Sequence, residues 1–141
     1  MTNEELYEQI SADGTIIEAV FQDTDWTGLD VQGMEFHNCT FKKSRFSEAL
    51  LDDSTFYGCV FQDCWFHHCH LNNSQFTDCT FFDGDSHTGA DFSHARLQNS
   101  CFEKCNLSTS RFAHAVLYGA RIENCTAQGV NFEQAMLVPS Q

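Results

Sequence analysis

The chain has 141 residues, with 20 acidic side chains against seven Lys and Arg, and a formal net charge of −13. That length fits one domain. The charge argues against a protein that grips nucleic acid by neutralising phosphates, and no apolar run approaches the roughly 18–20 residues of a membrane helix.

Acidic composition alone suggests disorder, but 42% hydrophobic residues with 14 phenylalanines point to a packed core. The start, Met1-Thr2-Asn3-Glu4-Glu5, has neither the basic nor the apolar region of a signal peptide, so a soluble cytoplasmic protein is expected. The same residues read as a helix capping box, and Leu6 with Ile10 supplies a short apolar face. A helical lid over residues 3–11 thus opens an N-terminal cap spanning 1–17, with a turn at Asp13-Gly14.

From 18 to 81 the sequence repeats every five residues. Phe36, Phe41, Phe46, Phe56, Phe61, Phe66, Phe76 and Phe81 keep the spacing, Leu51 and Leu71 fill the gaps, and Phe21, Trp26 and Val31 extend it upstream. A break follows at 82–91. Phe81 and Phe92 stand 11 residues apart where two quintets need ten, and the expected centre falls on polar Ser86 or His87. With Gly84 and Gly89 inside it, the stretch reads either as a bulge that kinks the repeat or as a projecting recognition loop. A second run, 92–138, continues through Phe92, Leu97, Phe102, Leu107, Phe112, Leu117, Ile122, Ala127, Phe132 and Leu137, for 23 centres in all. Two residues before each centre lies a second set, mostly small, such as Cys39, Ser44, Ala49 and Ser54. After Leu137 come Pro139 and two polar residues; this end is expected either to fray or to pair end to end with a second copy.

A period of five suits neither common template. Five residues advance a helix by about 140° beyond a full turn, and five is odd where a strand alternates in twos. It suits a chain that turns a corner every five residues and stacks its coils, burying the large and small residues of each side. These units resemble the pentapeptide-repeat proteins, whose motif is a small residue, a polar one, Leu or Phe, then two variable positions. Ala90-Asp91-Phe92-Ser93-His94 and Cys105-Asn106-Leu107-Ser108-Thr109 are good copies. The resemblance covers about residues 19–138. It implies an all-β fold, a right-handed quadrilateral β-helix with four quintets per coil, about six coils at ~4.8 Å and a rod core of roughly 29 Å.

Seven of the eight cysteines take the small inward position, where Cys alternates with Ala and Ser as a small buried hydrophobe. With 20 residues per coil, Cys39, Cys59 and Cys79 should share one column and Cys105 and Cys125 another, as inert thiols. In Cys64-Trp65-Phe66-His67-His68-Cys69-His70 the phase turns the cysteines inward and the histidines outward, which argues against a metal site. His94 and His114 should form an exposed, solvated column. No nucleophile–base pair, phosphate loop or recognisable carboxylate pair appears, so neither enzymatic activity nor a cofactor is expected.

From the break onward the chain is similar to one group of the family, the quinolone-resistance (Qnr) proteins. The resemblance is carried by Phe82-Asp83-Gly84-Asp85-Ser86 with Gly89, by Asp91-Phe92-Ser93-His94-Ala95, and by Cys125-Thr126-Ala127-Gln128-Gly129. It implies a protein that binds type II topoisomerases (DNA gyrase, topoisomerase IV) as a mimic of duplex DNA and protects them from quinolones. It also implies that the loop Phe82, Asp83, Gly84, Asp85, Ser86, His87, Thr88 and Gly89 meets that partner. The family continues beyond the point matching Leu137 with a second loop, further coils and a helix that supports dimerisation. Here a monomer or an end-to-end homodimer is expected, with no direct contact to nucleic acid or membrane.

The acid is uneven. Residues 1–91 hold 17 acids and three bases, and residues 92–141 three acids and four bases. An acidic contact face is therefore expected from Asp23, Asp25, Asp30, Glu35, Asp52, Asp53, Asp63 and Asp78, with Asp23, Lys43, Asp63 and Asp83 in one column. A scaffold or adaptor using the same rod for an unrelated protein is the alternative.

Overall fold

A computed structural model describes Leu6, Glu8 and residues 14–137. The expected helical lid over 3–11 lies outside these residues apart from Leu6 and Glu8; Leu6 is buried against the core. Among the described residues are nine three-residue strands: β1 (Thr15–Ile17), β2 (Val20–Gln22), β3 (Glu35–His37), β4 (Thr40–Lys42), β5 (Thr55–Tyr57), β6 (Val60–Gln62), β7 (Gln75–Thr77), β8 (Cys101–Glu103) and β9 (Arg121–Glu123). β1, β3, β5, β7, β8 and β9 form one parallel sheet, and β2, β4 and β6 another.

Single parallel bridges complete the figure. The second face continues through Thr80, Asn106 and Thr126; the third runs Asp25, Arg45, Trp65, Asp91, Arg111, Asn131; the fourth runs Asp30, Leu50, His70, Arg96, Val116, Met136. The chain is thus a quadrilateral parallel β-helix. Six strands on one face are six coils, the first of them opened by Ile16, buried in register with Phe36 and one quintet upstream of Phe21.

The corners explain the period. The second residue after a centre repeatedly takes a left-handed backbone conformation, as at Glu18 (φ 58°), Asp23 (54°), Lys43 (49°) and Asp63 (52°). That conformation costs a non-glycine residue about 1–2 kcal/mol. It turns the amide to the next coil, where Glu18 N–H donates to His37 O at 2.8 Å and Lys43 N–H to Gln62 O at 2.8 Å. A buried edge amide left unpaired costs a similar amount, so the corner is stable only within the stack.

The core is a set of ring ladders. Phe36, Phe56, Phe76 and Phe102 stack at 4.8, 4.7 and 4.7 Å, within 6° of parallel. Phe46, Phe66, Phe92 and Phe112 stack at 4.8, 4.6 and 4.9 Å, within 10° of parallel. Ring spacing equals the strand spacing of a parallel sheet, so hydrogen bonding and aromatic stacking are satisfied together.

One expectation is corrected. The break is not two quintets with an extra residue. Phe76 pairs with Phe102 and Trp65 with Asp91, steps of 26 residues where other coils step by 20. Residues 81–92 therefore make a single quintet step carrying six extra residues. Removing 84–89 would leave Phe82-Asp83-Ala90-Asp91-Phe92, a regular unit with Ala90 in the small position.

Candidate interaction loop and surfaces

The inserted residues fold as a small pinned loop at the corner between the second and third faces. Asp83 N–H donates to Thr88 O at 2.7 Å, and Asp85 N–H donates to Asp83 Oδ1 at 2.9 Å. Ser86 Oγ lies 2.7 Å from Thr88 Oγ1, and Thr88 Oγ1 donates to Asp63 Oδ1 at 2.8 Å, tying the loop to the coil before it. On the other side Gly89 lies so close to the next coil that a Cβ would sit 2.5 Å from Ser108 O and Ser110 N. Phe82 and Asp83 are half-buried, while Gly84 to Thr88 are exposed.

Asp91 closes the loop. Its Oδ1 accepts from Ser93 N–H at 2.9 Å, and its Oδ2 lies 2.7 Å from His67 Nε2. Burial pushes the Asp91 carboxyl up, but the hydrogen bonds from Ser93 and His67 outweigh it and hold the group below the ordinary carboxylate value. Beside the loop runs an open groove of about 560 Å³, lined in part by Lys43, Asp63, Trp65, Thr88, Asp91 and Arg111. Trp65, 39% exposed, offers an aromatic surface there that a reading by phase passes over, because it sits at a variable position.

The eight acids expected on one face are spread around the rod. Asp23 and Asp63 lie at the loop's corner, Asp25 on the third face, Asp30 on the fourth and Glu35 in β3 on the first, with Asp52 and Asp53 at the corner before β5 and Asp78 at the corner after β7. Several are engaged locally. Asp25 accepts from Thr27 N–H at 3.0 Å and lies 3.9 Å from Arg45; these Thr27 hydrogen bonds, then the Arg45 charge, lower its pKa. Asp30 accepts from Gln32 and Asp52 from Asn72, while Glu35 lies 3.5 Å from His37. Asp23, Lys43 and Asp63 keep the expected column position, but Asp83 has no left-handed corner and bonds within the loop.

The 26-residue step merges columns that a constant step keeps apart. Cys39, Cys59, Cys79, Cys105 and Cys125 form one line, each Sγ donating to a carbonyl of the preceding coil at 3.2–3.5 Å. All eight thiols are free; burial pushes Cys64 up to about 12 and Cys69 well above the ordinary thiol value. His68 joins His94 and His114, with ring centroids 4.9 and 4.8 Å apart and planes within 8°. Among the described residues no three His, Cys, Asp or Glu groups are placed to hold a metal ion, and no helix is long and apolar enough to cross a membrane.

Family models described as pentapeptide repeats match residues 21–85 with nine copies and 90–126 with eight copies. The pentapeptide repeat protein QnrB4 of Escherichia coli is 39% identical over 57 residues, 40% of this chain and 26% of the relative. The quinolone resistance pentapeptide repeat protein QnrB96 of Scandinavium goeteborgense is 33% identical over 107 residues, 76% of this chain and 38% of the relative. The solved structure of full-length QnrB1, a plasmid-mediated fluoroquinolone resistance protein, superposes with a TM-score of 0.59 at 25% identity, covering 86% of this chain and 47% of that one. The chain thus spans well under two thirds of each of these relatives. With the five-residue phase, the four ladders and the family models in agreement, the chain belongs to the pentapeptide-repeat proteins and is similar to their Qnr group.

Proposed function

We propose that the chain is a non-enzymatic protein-binding module. Its partner is a type II topoisomerase, DNA gyrase or topoisomerase IV, and it modulates quinolone susceptibility as an acidic mimic of duplex DNA. The observation that carries this reading is a pinned, exposed loop on an acidic rod in a chain similar to Qnr proteins. Along a core of roughly 29 Å, residues 14–137 carry 16 acids and seven bases, a net charge of −9 or about one per 3.2 Å, against one per about 1.7 Å of duplex. Acids spread around the surface suit a rod inserted into a basic channel, where every side meets the wall. Residues 82–89 make the specific contact, and the acids of the first coils supply attraction.

The test is a gyrase supercoiling assay with and without a quinolone, titrating the protein, alongside direct binding. The intact protein should bind, and excision of residues 84–89 should remove most of the affinity while leaving the fold. Asp83→Asn with Asp85→Asn should weaken binding and flatten its salt dependence. Failure of the intact protein to bind either topoisomerase overturns the proposal. A scaffold for an unrelated protein is the second reading. It is favoured by Asp25, Asp30, Asp52 and Asp63 spending their carboxylates on neighbouring groups, so that part of the acid is structural.

A further inference from the structure

We infer that the groove beside the loop docks an acidic, extended peptide segment of a protein partner, with an aromatic side chain of that segment on Trp65 and its carboxylates at Lys43 and Arg111. This rests on the protein-binding reading above, but not on which protein binds. The groove, about 560 Å³, is of the size that takes a small ligand or a few side chains, and the loop residues His87, Thr88 and Gly89 form one wall of it. On the third face Arg45, Trp65, Asp91 and Arg111 are successive ladder positions, so cations stand on either side of an exposed indole. All three bases that precede the break, Lys42, Lys43 and Arg45, lie in the coil that carries Arg45. Exposed Trp flanked by Arg is the composition of binding hot spots.

Lys43, Arg111, Asp63 and Asp91 all line the groove, and the two signs are not equally available. Asp63 accepts from Thr88 and Ser86, Asp91 accepts from Ser93 and meets His67, and both acids are half-buried. Lys43 and Arg111 are exposed, and among the described residues neither side chain enters a hydrogen bond or ion pair. Arg45, the other cation of this face, already lies 3.9 Å from Asp25. The uncommitted charge of the groove is therefore positive, on a rod whose net charge is negative, and it is complementary to carboxylates. Spacing sets the shape of the occupant. Lys43 shares a coil with Arg45, three ladder steps from Arg111, which is about 14 Å along the rod at ~4.8 Å per step. An extended peptide advances about 3.4 Å per residue and turns residues i, i+2 and i+4 to one face. Two acids four residues apart thus span the two cations, with the residue midway between them over Trp65.

The experiment titrates the acetylated and amidated peptide Glu-Thr-Phe-Thr-Glu into the full chain and reads tryptophan emission. The readout is local, because Trp26 is fully buried with its indole N–H on Thr24, whereas Trp65 is exposed. Emission should change saturably with the acidic peptide, and Lys-Thr-Phe-Thr-Lys should bind about fivefold more weakly or not at all, against the sign of the whole chain. Added salt should weaken the acidic peptide. Lys43→Gln and Arg111→Gln should each weaken it severalfold, and Lys104→Gln, a base outside the groove, should leave it unchanged. Unchanged circular dichroism keeps the comparison to folded protein. Equal or tighter binding of the basic peptide, no saturable change with the acidic one, or a loss with Lys104→Gln as large as with Arg111→Gln would each overturn the assignment. Topoisomerase binding is a separate measurement, so its absence would remove that partner and not the groove.

Discussion

The two glycines of the inserted loop should respond in opposite ways to the same substitution. At Gly89 an added Cβ would lie 2.5 Å from Ser108 O, 2.5 Å from Ser110 N and 2.7 Å from Thr109 C, whereas ordinary contact begins at 3.4 Å. Something must therefore move by about 0.9 Å, and every neighbour is backbone. The facing coil resists, because Thr109 N–H, Ser110 N–H and Arg111 N–H are bonded to Gln128 O, Leu107 O and Ala90 O at 2.8, 3.0 and 2.9 Å. The loop resists through the Thr88–Asp63 bond. Overpacking of this kind costs about 1–3 kcal/mol, and Gly89→Ala should fall in that range. Gly84 has nothing within 4 Å of its Cβ direction and no left-handed φ. Gly84→Ala acts mainly by restricting the unfolded chain and should be neutral or stabilising by up to about 1 kcal/mol. Urea denaturation with circular dichroism measures both as midpoint shifts at unchanged slope. A Gly89→Ala variant within about 0.5 kcal/mol of the parent would refute the close approach of loop and coil.

Three further outcomes are expected. Ser54 Oγ is buried without a hydrogen-bond partner, whereas Ser74 Oγ donates to Leu71 O at 2.7 Å; Ser54→Ala should be neutral or stabilising and Ser74→Ala should cost about 1 kcal/mol in the same denaturation assay. Asp91→Ala should cost about 1.5–3 kcal/mol at neutral pH, because the hydrogen bonds it makes involve a charged group. The folded Asp91 carboxyl lies below its ordinary value, so its contribution is present above about pH 4 and lost as pH falls through the folded value. The gap between parent and variant, followed by denaturation across pH, should shrink on acidification. Native alkylation read by mass spectrometry should label at most Cys101 and Cys125, the two half-exposed thiols, and all eight only after unfolding.

Much of the fold is legible in the residues because one signal is repeated. Each Phe or Leu centre carries little information alone, but the stack demands that all share a phase, and Phe36, Phe56 and Phe76 announce the 20-residue coil. The site is less legible, because polar residues at the variable positions obey no phase. Ser86 and His87 give no sign that six residues are inserted into one step, not one into two. That single ambiguity also hid the continuity of Cys79 with Cys105 and of His68 with His94. Ile16 is hard to read as a centre because it stands ahead of the aromatic series that begins at Phe21. The acids share no phase, and composition cannot tell a corner from a face.

The position of the insertion has a physical logic that bears on function. Phe66 stacks on Phe92 at 4.6 Å across the insertion, as closely as rings in uninterrupted coils, and Trp65 and Asp91 keep the ladder in register. The core does not register the six extra residues. Their cost is mainly loop closure, which grows only with the logarithm of length, by about 0.6 kcal/mol per doubling. The Asp63 hydroxyl contacts and the packing of Gly89 offset it. The ring ladders hold the rod together whatever the corner displays, so a corner displaced from the ladders is free to vary in shape without disturbing the core. The same displacement brings imidazoles from coils 26 residues apart into contact, so one insertion creates both the projecting loop and the histidine column.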